Sequence, residues 1–210
     1  MVHVFNNCPK LASAQWIPSN VLVRVTHSRL EETPFNAMGF PPQLPSLTRL
    51  CTVVETDNDL KSVAYMCPNL THLALQNLKR TRPEMLFITP ILESCHHIQT
   101  LKLWRFSLPD ASTIHKLRLL TRLEDLSIFV TKLDDDGFRE LARSAPHLEQ
   151  LRCNGRNLTT DLLAYLGMHM PALKFLKITG AHNVLELREV LSEKDVFPNL
   201  ETGIVRAGFM

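Results

Sequence analysis

The chain has 210 residues, 45% of them hydrophobic and 21% charged, and its 23 Lys and Arg against 21 Asp and Glu give a formal net charge of +2. A chain of this size and composition buries a sizeable core without a disulfide or metal staple. Near-neutral charge removes the bulk argument for a nucleic-acid or anionic-membrane partner, and no run of about 18 apolar residues exists to span a bilayer.

The start, Met1-Val-His-Val-Phe-Asn-Asn-Cys-Pro9, has neither a basic region nor an apolar run long enough for a secretory signal. Val2 and Phe5 read as the tail of a helix. Leu11 then opens a strand pattern, Cys8-Pro9-Lys-Leu11-Ala-Ser-Ala14-Gln-Trp16. The spacing apolar-x-x-apolar-x-apolar returns at Leu47, Leu70, Ile98, Leu123, Leu148, Leu173 and Leu200, at intervals of 36, 23, 28, 25, 25, 25 and 27 residues. All but the first interval lie in the roughly 20–29-residue range of leucine-rich repeats, a solenoid in which each unit covers its neighbour's apolar side. The long first interval marks an irregular insertion at 17–46. It holds a β-prone stretch, Val21-Leu22-Val23-Arg24-Val25, and a loop with Pro34, Pro41, Pro42 and Pro45. The array is expected to begin mid-solenoid, as part of a longer chain, or else with a short first repeat that acts as its own cap.

Each unit reads as a strand, a turn and a helix. Pro9, Pro45, Pro68, Pro146, Pro171 and Pro198 each sit two residues before an anchor. Pro disfavours helix in the residue before it, so it is expected to stop the preceding helix at the same point in every copy. After the strand the period changes from 2 to 3.6: Phe138, Leu141 and Ala142 share one helical face, and so do Leu162, Leu163 and Leu166. Asp134 to Asp136 and Thr159 to Asp161 supply N-cap candidates. Cys8, Cys67 and Cys95 lie three residues before an anchor, where later copies have Ala145 and Met170, a slot expected to take a small apolar side chain. The odd count of five cysteines, three of them at repeat-equivalent positions, argues against a disulfide framework and fits a cytoplasmic or nuclear protein. In the last copy Gly203 replaces the second anchor.

In such a unit the residues flanking the last two anchors point to the concave side. One flank is Ser13, Arg49, His72, Thr100, Asp125, Gln150, Phe175 and Thr202. The middle row is Gln15, Cys51, Ala74, Lys102, Ser127, Arg152, Lys177 and Ile204. The other flank is Ile17, Val53, Gln76, Trp104, Phe129, Asn154, Thr179 and Arg206. Arg49, His72, Lys102, Trp104, Phe129, Arg152, Phe175, Lys177 and Arg206 are the candidate partner-binding residues. Trp104 and Phe129, side by side, suit an interface anchor; alternatively both rings turn into the core. Lys102, Arg152 and Lys177, with Arg49 and Arg206, suit an acidic peptide or phosphate; alternatively they form an ordinary solvated face, since Glu124, Glu149 and Glu201 lie beside them.

Candidate chemistry is sparse. Cys95-His96-His97 lacks the spacing of convergent metal ligands. Asp134-Asp135-Asp136-Gly137 lacks the later ligands of a calcium loop, and helix capping explains it. His169 ends a helix. No Gly-rich phosphate loop, serine nucleophile elbow or His-Glu-x-x-His occurs. The expectation is a non-enzyme with no catalytic residue, no metal and no cofactor.

Leu133-Asp-Asp-Asp-Gly137-Phe-Arg-Glu-Leu141-Ala-Arg-Ser-Ala-Pro146-His-Leu148-Glu-Gln-Leu151-Arg-Cys153 resembles the leucine-rich repeats of F-box proteins, in a style similar to fungal F-box-like proteins. Cys67-Pro68-Asn69-Leu70-Thr71-His72-Leu73 resembles the strand of those repeats. The resemblance covers nearly the whole chain. Residues 1–46 hold no recognisable F-box. The Asn or Cys that often follows the strand is mostly replaced, by Leu78, Phe106, Thr131, Arg156 and Ala181. The expected fold is an α/β leucine-rich-repeat solenoid, a horseshoe of about eight repeats in one domain over 1–210, with a parallel concave sheet and helices on the convex side. The resemblance implies a protein-protein interaction module that recognises substrates for an F-box-type ubiquitin ligase, with a cullin-ligase adaptor reached through the missing F-box. The alternative is a free-standing scaffold or regulatory protein. No membrane and no nucleic-acid partner is expected.

Overall fold

The computed structural model describes residues 13–14, 43–54, 56–77, 88–106, 111–129, 133–156 and 158–207. The expectations for Val2, Phe5, Cys8, Leu11, Gln15, Trp16, Ile17, Leu78 and Thr131, and for the insertion up to residue 42, lie outside these residues.

Eight parallel strands form one sheet in chain order: β1 (Ser13–Ala14), β2 (Arg49–Val54), β3 (His72–Asn77), β4 (Thr100–Trp104), β5 (Asp125–Phe129), β6 (Gln150–Asn154), β7 (Phe175–Ala181) and β8 (Thr202–Ala207). Between them run α1 (Asp57–Met66), α2 (Thr89–Ser94), α3 (Ala111–His115, continued by a 3₁₀ turn Lys116–Leu119), α4 (Asp135–Ser144), α5 (Thr160–His169) and α6 (Val184–Ser192). This is the α/β solenoid that the repeat spacing predicts. The fold follows from short units whose strands and helices each stack on the next.

One backbone device joins the repeats. The carbonyl of Thr48 accepts from the amides of both Thr71 and His72. The carbonyls of Thr71, Gln99, Glu124, Glu149 and Lys174 each accept two amides from the following repeat in the same way. A carbonyl has two lone pairs, so it can serve both donors. The anchors beneath this ladder, Leu47, Leu70, Ile98, Leu123, Leu148, Leu173 and Leu200, are all buried. Each fully buried leucine or isoleucine contributes roughly 1.5–3 kcal/mol.

The helices form where caps and apolar faces agree. Thr56 and Asp59 make a reciprocal capping box at the start of α1, with Asp59 N donating to Thr56 Oγ1 at 3.2 Å and Thr56 N donating to Asp59 Oδ2 at 2.8 Å. Asp134 caps α4 by accepting from Gly137 N at 2.9 Å, and Thr159 caps α5 by accepting from Leu162 N at 3.2 Å. Phe138, Leu141 and Ala142, like Leu162, Leu163 and Leu166, point inward and are buried.

Two expectations need correction. The slot before the anchor is apolar but not restricted to small side chains: Leu120 and Phe197 occupy it as well as Cys67, Cys95, Ala145 and Met170, and all six are buried. The helix also does not stop at one point in every copy. Residues Cys67, Ala145 and Met170, each before a Pro, end their helices, but α6 ends at Ser192, well short of Pro198. Cys95, followed by His96 rather than Pro, has nearly the same backbone conformation, φ −108 and ψ 64. The slot geometry therefore belongs to the repeat, and Pro merely suits it.

The segment from Glu193 to Phe197 fills in after the shortened α6. Gly167 makes room for it: a Cβ there would stand 2.6 Å from the Val196 carbonyl oxygen and 3.0 Å from Phe197 Cε1. Gly203 is accounted for in the same way, since a Cβ would lie 3.1 Å from Leu191 Cδ1 and 3.3 Å from Leu200 Cδ2, side chains that occupy the place of the missing anchor. Gly167→Ala is the sharper test. In an open helix this change stabilises by about 1 kcal/mol. Here the backbone oxygen cannot yield, and the variant is expected to lose about 1–3 kcal/mol in a urea melt. A gain in stability would show that Val196 does not sit on α5.

Candidate functional site

The wall rows emerge from register alone. β2 to β8 align Arg49, His72, Thr100, Asp125, Gln150, Phe175 and Thr202 as one row. The middle row is Cys51, Ala74, Lys102, Ser127, Arg152, Lys177 and Ile204. In the third row Trp104 pairs with Gln76 and Phe129, and Thr179 with Asn154 and Arg206. Alternate strand residues such as Leu73, Leu75, Leu101, Leu103, Leu151 and Cys153 face the helices and are buried.

All nine candidate residues therefore lie on the concave side, at differing depth. Arg49 and Arg206 are exposed; His72, Lys102, Trp104, Phe129, Arg152, Phe175 and Lys177 are half-buried. Trp104 and Phe129 stand opposite each other on β4 and β5, and neither is buried with the core. The alternative of two inward rings does not hold.

The cations differ in what they already bind. Arg152 Nη1 donates to Asp125 Oδ1 at 2.5 Å and its Nη2 donates to Gln150 Oε1 at 2.9 Å. Its guanidinium also lies over the Phe175 ring, 4.6 Å from the centroid. Arg152 is thus fixed by three partners. Lys174 is likewise engaged, 2.9 Å from Glu149, which raises its pKa. Among the described residues, Arg49, Lys102, Lys177 and Arg206 make no ion pair.

His72 reports the local field. Burial lowers its pKa first, then the charges of Arg49 and Lys102; Asp125 and Glu124 pull the other way. Its Nδ1 lies 2.9 Å from Thr71 Oγ1, a hydroxyl that is also 3.0 Å from the Thr48 carbonyl.

Ser127 was legible as a row member but not as a site residue. It is only 1% exposed, although strand alternation puts it on the concave side, and its Oγ has no hydrogen-bond partner. The available signal was size: a serine between Lys102 and Arg152 lies below the reach of both.

The remaining motifs have structural explanations. Cys95 is buried while His96 and His97 are exposed, so the three do not converge. Among the described residues no group of three His, Cys, Asp or Glu is placed to hold a metal ion. Burial pushes the Cys67 thiol up to about 12 and the Cys95 thiol up to about 11. Such thiols are inert, in line with packing. His169 stacks on Tyr165 with ring centroids 3.9 Å apart, on the exposed side of α5. Among the described residues no helix is long and apolar enough to cross a membrane.

The effect of Lys102 on His72 is open to direct test. Lys102→Met removes a positive charge that disfavours the imidazolium, so the His72 pKa is expected to rise toward the ordinary histidine value. Titration of the imidazole carbon-bound protons by NMR reads this. An unchanged or lower value would place Lys102 away from His72.

A scan against protein-family models and a search of curated proteins find no match. Solved structures do match. The leucine-rich-repeat-containing protein LegL7 from Legionella pneumophila is similar at 12% identity and a TM-score of 0.46, over 74% of this chain and 57% of that one. The chain thus spans less than two thirds of that protein's length.

Proposed function

We propose that the chain is a protein-interaction module that captures a partner on the concave face of its sheet, as the target-recognition part of an F-box-type ubiquitin ligase. The carrying observation for the first half is the row geometry. Short strands present side chains in register, and Lys102, Lys177, Arg49 and Arg206 make no ion pair among the described residues. The half-buried pair Trp104 and Phe129 adds apolar area beside them. Large half-exposed aromatics next to unpaired charge are the usual composition of an interface centre and its rim.

The ligase half is supported by the resemblance of Leu133 to Cys153 and of Cys67 to Leu73 to F-box-associated repeats. In that role the chain does no chemistry. It holds a target while an F-box meets the cullin adaptor, in the cytoplasm or nucleus, where free thiols such as Cys51, Cys67, Cys95 and Cys153 persist. The second reading is a free-standing scaffold. It is favoured by the described residues between 43 and 207, whose strands and helices all belong to the repeats.

Quantitative affinity capture from the source cells, with the protein expressed from its own locus, separates these readings. Wild type is compared with a Trp104→Ala/Lys177→Glu variant whose circular dichroism and melting match it. A set of proteins lost from the variant, with a cullin and its adaptor retained by both, is the expected result. Targets lost from the variant with no cullin or adaptor in either sample would leave the scaffold. A variant that loses nothing would remove the concave face from the reading.

A further inference from the structure

We propose that the partner's bound segment is an extended peptide with an Asp or Glu beside an apolar residue, the carboxylate docking at Ser127 between Lys102 and Arg152. The inference rests on the concave face being the binding face. It names the chemistry that this face accepts.

The first observation is the unmet hydroxyl. Ser127 is 1% exposed and its Oγ has no partner. A hydroxyl offers one donor and two acceptor sites, and buried polar groups in folded proteins are nearly always paired. Ser127 lies in the middle of the wall, aligned with Lys102 on β4 and Arg152 on β6. Neighbouring strands stand about 4.8 Å apart, so the longer side chains on both sides overhang it. A carboxylate placed there accepts from the hydroxyl and from the Lys102 ammonium, beside the already engaged Arg152 guanidinium.

The second observation is the contrast between the two cations. Arg152 is held by Asp125, Gln150 and Phe175 and forms a fixed wall. Lys102 has no ion pair or hydrogen bond among the described residues. Its ammonium sits on a flexible four-carbon stem and is free to swing. An acid enters on the Lys102 side, where nothing must first be broken. The Asp125–Arg152 pair shows that this surface already accommodates a carboxylate.

Charge selects the occupant. Lys102 and Arg152 stand against Asp125 in the wall rows, with Glu124 at the strand entry, so the site suits a single Asp or Glu side chain rather than a multiply charged group. A phosphorylated side chain carries about −1.5 to −2 and would face Asp125 with charge to spare. A nucleic acid needs a dense cationic track, and Glu124 and Glu149 lie close to these rows. Phe129, two residues beyond Ser127 on the same face, and Trp104 beside it give a place for an apolar side chain next to the acid.

A random peptide library displayed on phage and selected against the intact chain tests the inference. The expected peptides carry Asp or Glu next to an aromatic or aliphatic residue. Replacing that acid by its amide is expected to weaken binding at least about tenfold in calorimetric titration, the scale of a hydrogen bond to a charged group. Lys102→Met should weaken binding similarly, and Ser127→Ala by about fivefold or more. The melting temperature of Ser127→Ala should hold or rise, because an unpaired buried hydroxyl is removed. Lys61→Met, on exposed α1, should bind like wild type. Binding should also move the His72 NMR titration upward as Lys102 is neutralised.

Peptides enriched without an acid, or acidic peptides indifferent to both Lys102→Met and Ser127→Ala, would overturn the inference and leave concave-face binding intact. Binding of a mixed-sequence single-stranded RNA where acidic peptides fail would also overturn it. No enrichment at all would sink both readings together.

Discussion

The carbonyl just before each strand from β2 to β7 accepts two amides from the next repeat, and the arrangement of the wall depends on that ladder. Six successive carbonyls, from Thr48 to Lys174, do the same thing. The shared acceptor sets both the distance and the register between neighbours. Helix length on the convex side varies while these bonds are kept. The helices accordingly range from five residues in Ala111–His115 to ten in Asp135–Ser144. The anchor leucines lie directly under the ladder, so apolar burial and hydrogen bonding reinforce each other at the same point in each unit.

Register turns a sequence pattern into a surface. Side chains that are about 25 residues apart in the chain become neighbours at one strand spacing, about 4.8 Å. At that spacing charges choose partners, and the choice is not visible in a row of letters. Arg152 reaches back to Asp125, 27 residues earlier, and is occupied. Lys102 and Lys177, on either side of it in the same row, are not. The basic stripe is therefore two free ammonium groups around a fixed guanidinium. His72 responds to the charges of Arg49 and Lys102 while its Nδ1 contacts Thr71 Oγ1.

The fold was highly legible because its determinants are local and repeated. Seven anchors from Leu47 to Leu200, 23 to 28 residues apart, identify the strands, and the period change to Phe138, Leu141 and Ala142 identifies a helix face. The capping roles of Asp134 and Thr159 were legible for the same reason, since a cap acts within three residues. The last repeat was read less well. The early end of α6, the filling segment over Gly167 and the compensation for Gly203 by Leu191 and Leu200 all involve side chains that only folding brings together.

The sequence by itself determined the architecture, the three wall rows and which residue types stand in them, because the ladder and the leucine anchors repeat with the chain. Only the tertiary structure decided which wall residues are available. It put Arg152 into a set of internal partners, left Lys102 without one, kept Trp104 and Phe129 out of the core, and closed Ser127 beneath its neighbours. The physical reason is that availability depends on distances between repeats, where side-chain reach, burial and charge compete over a few ångströms. Spacing along the chain fixes the row a residue joins but not the contacts it makes across the row.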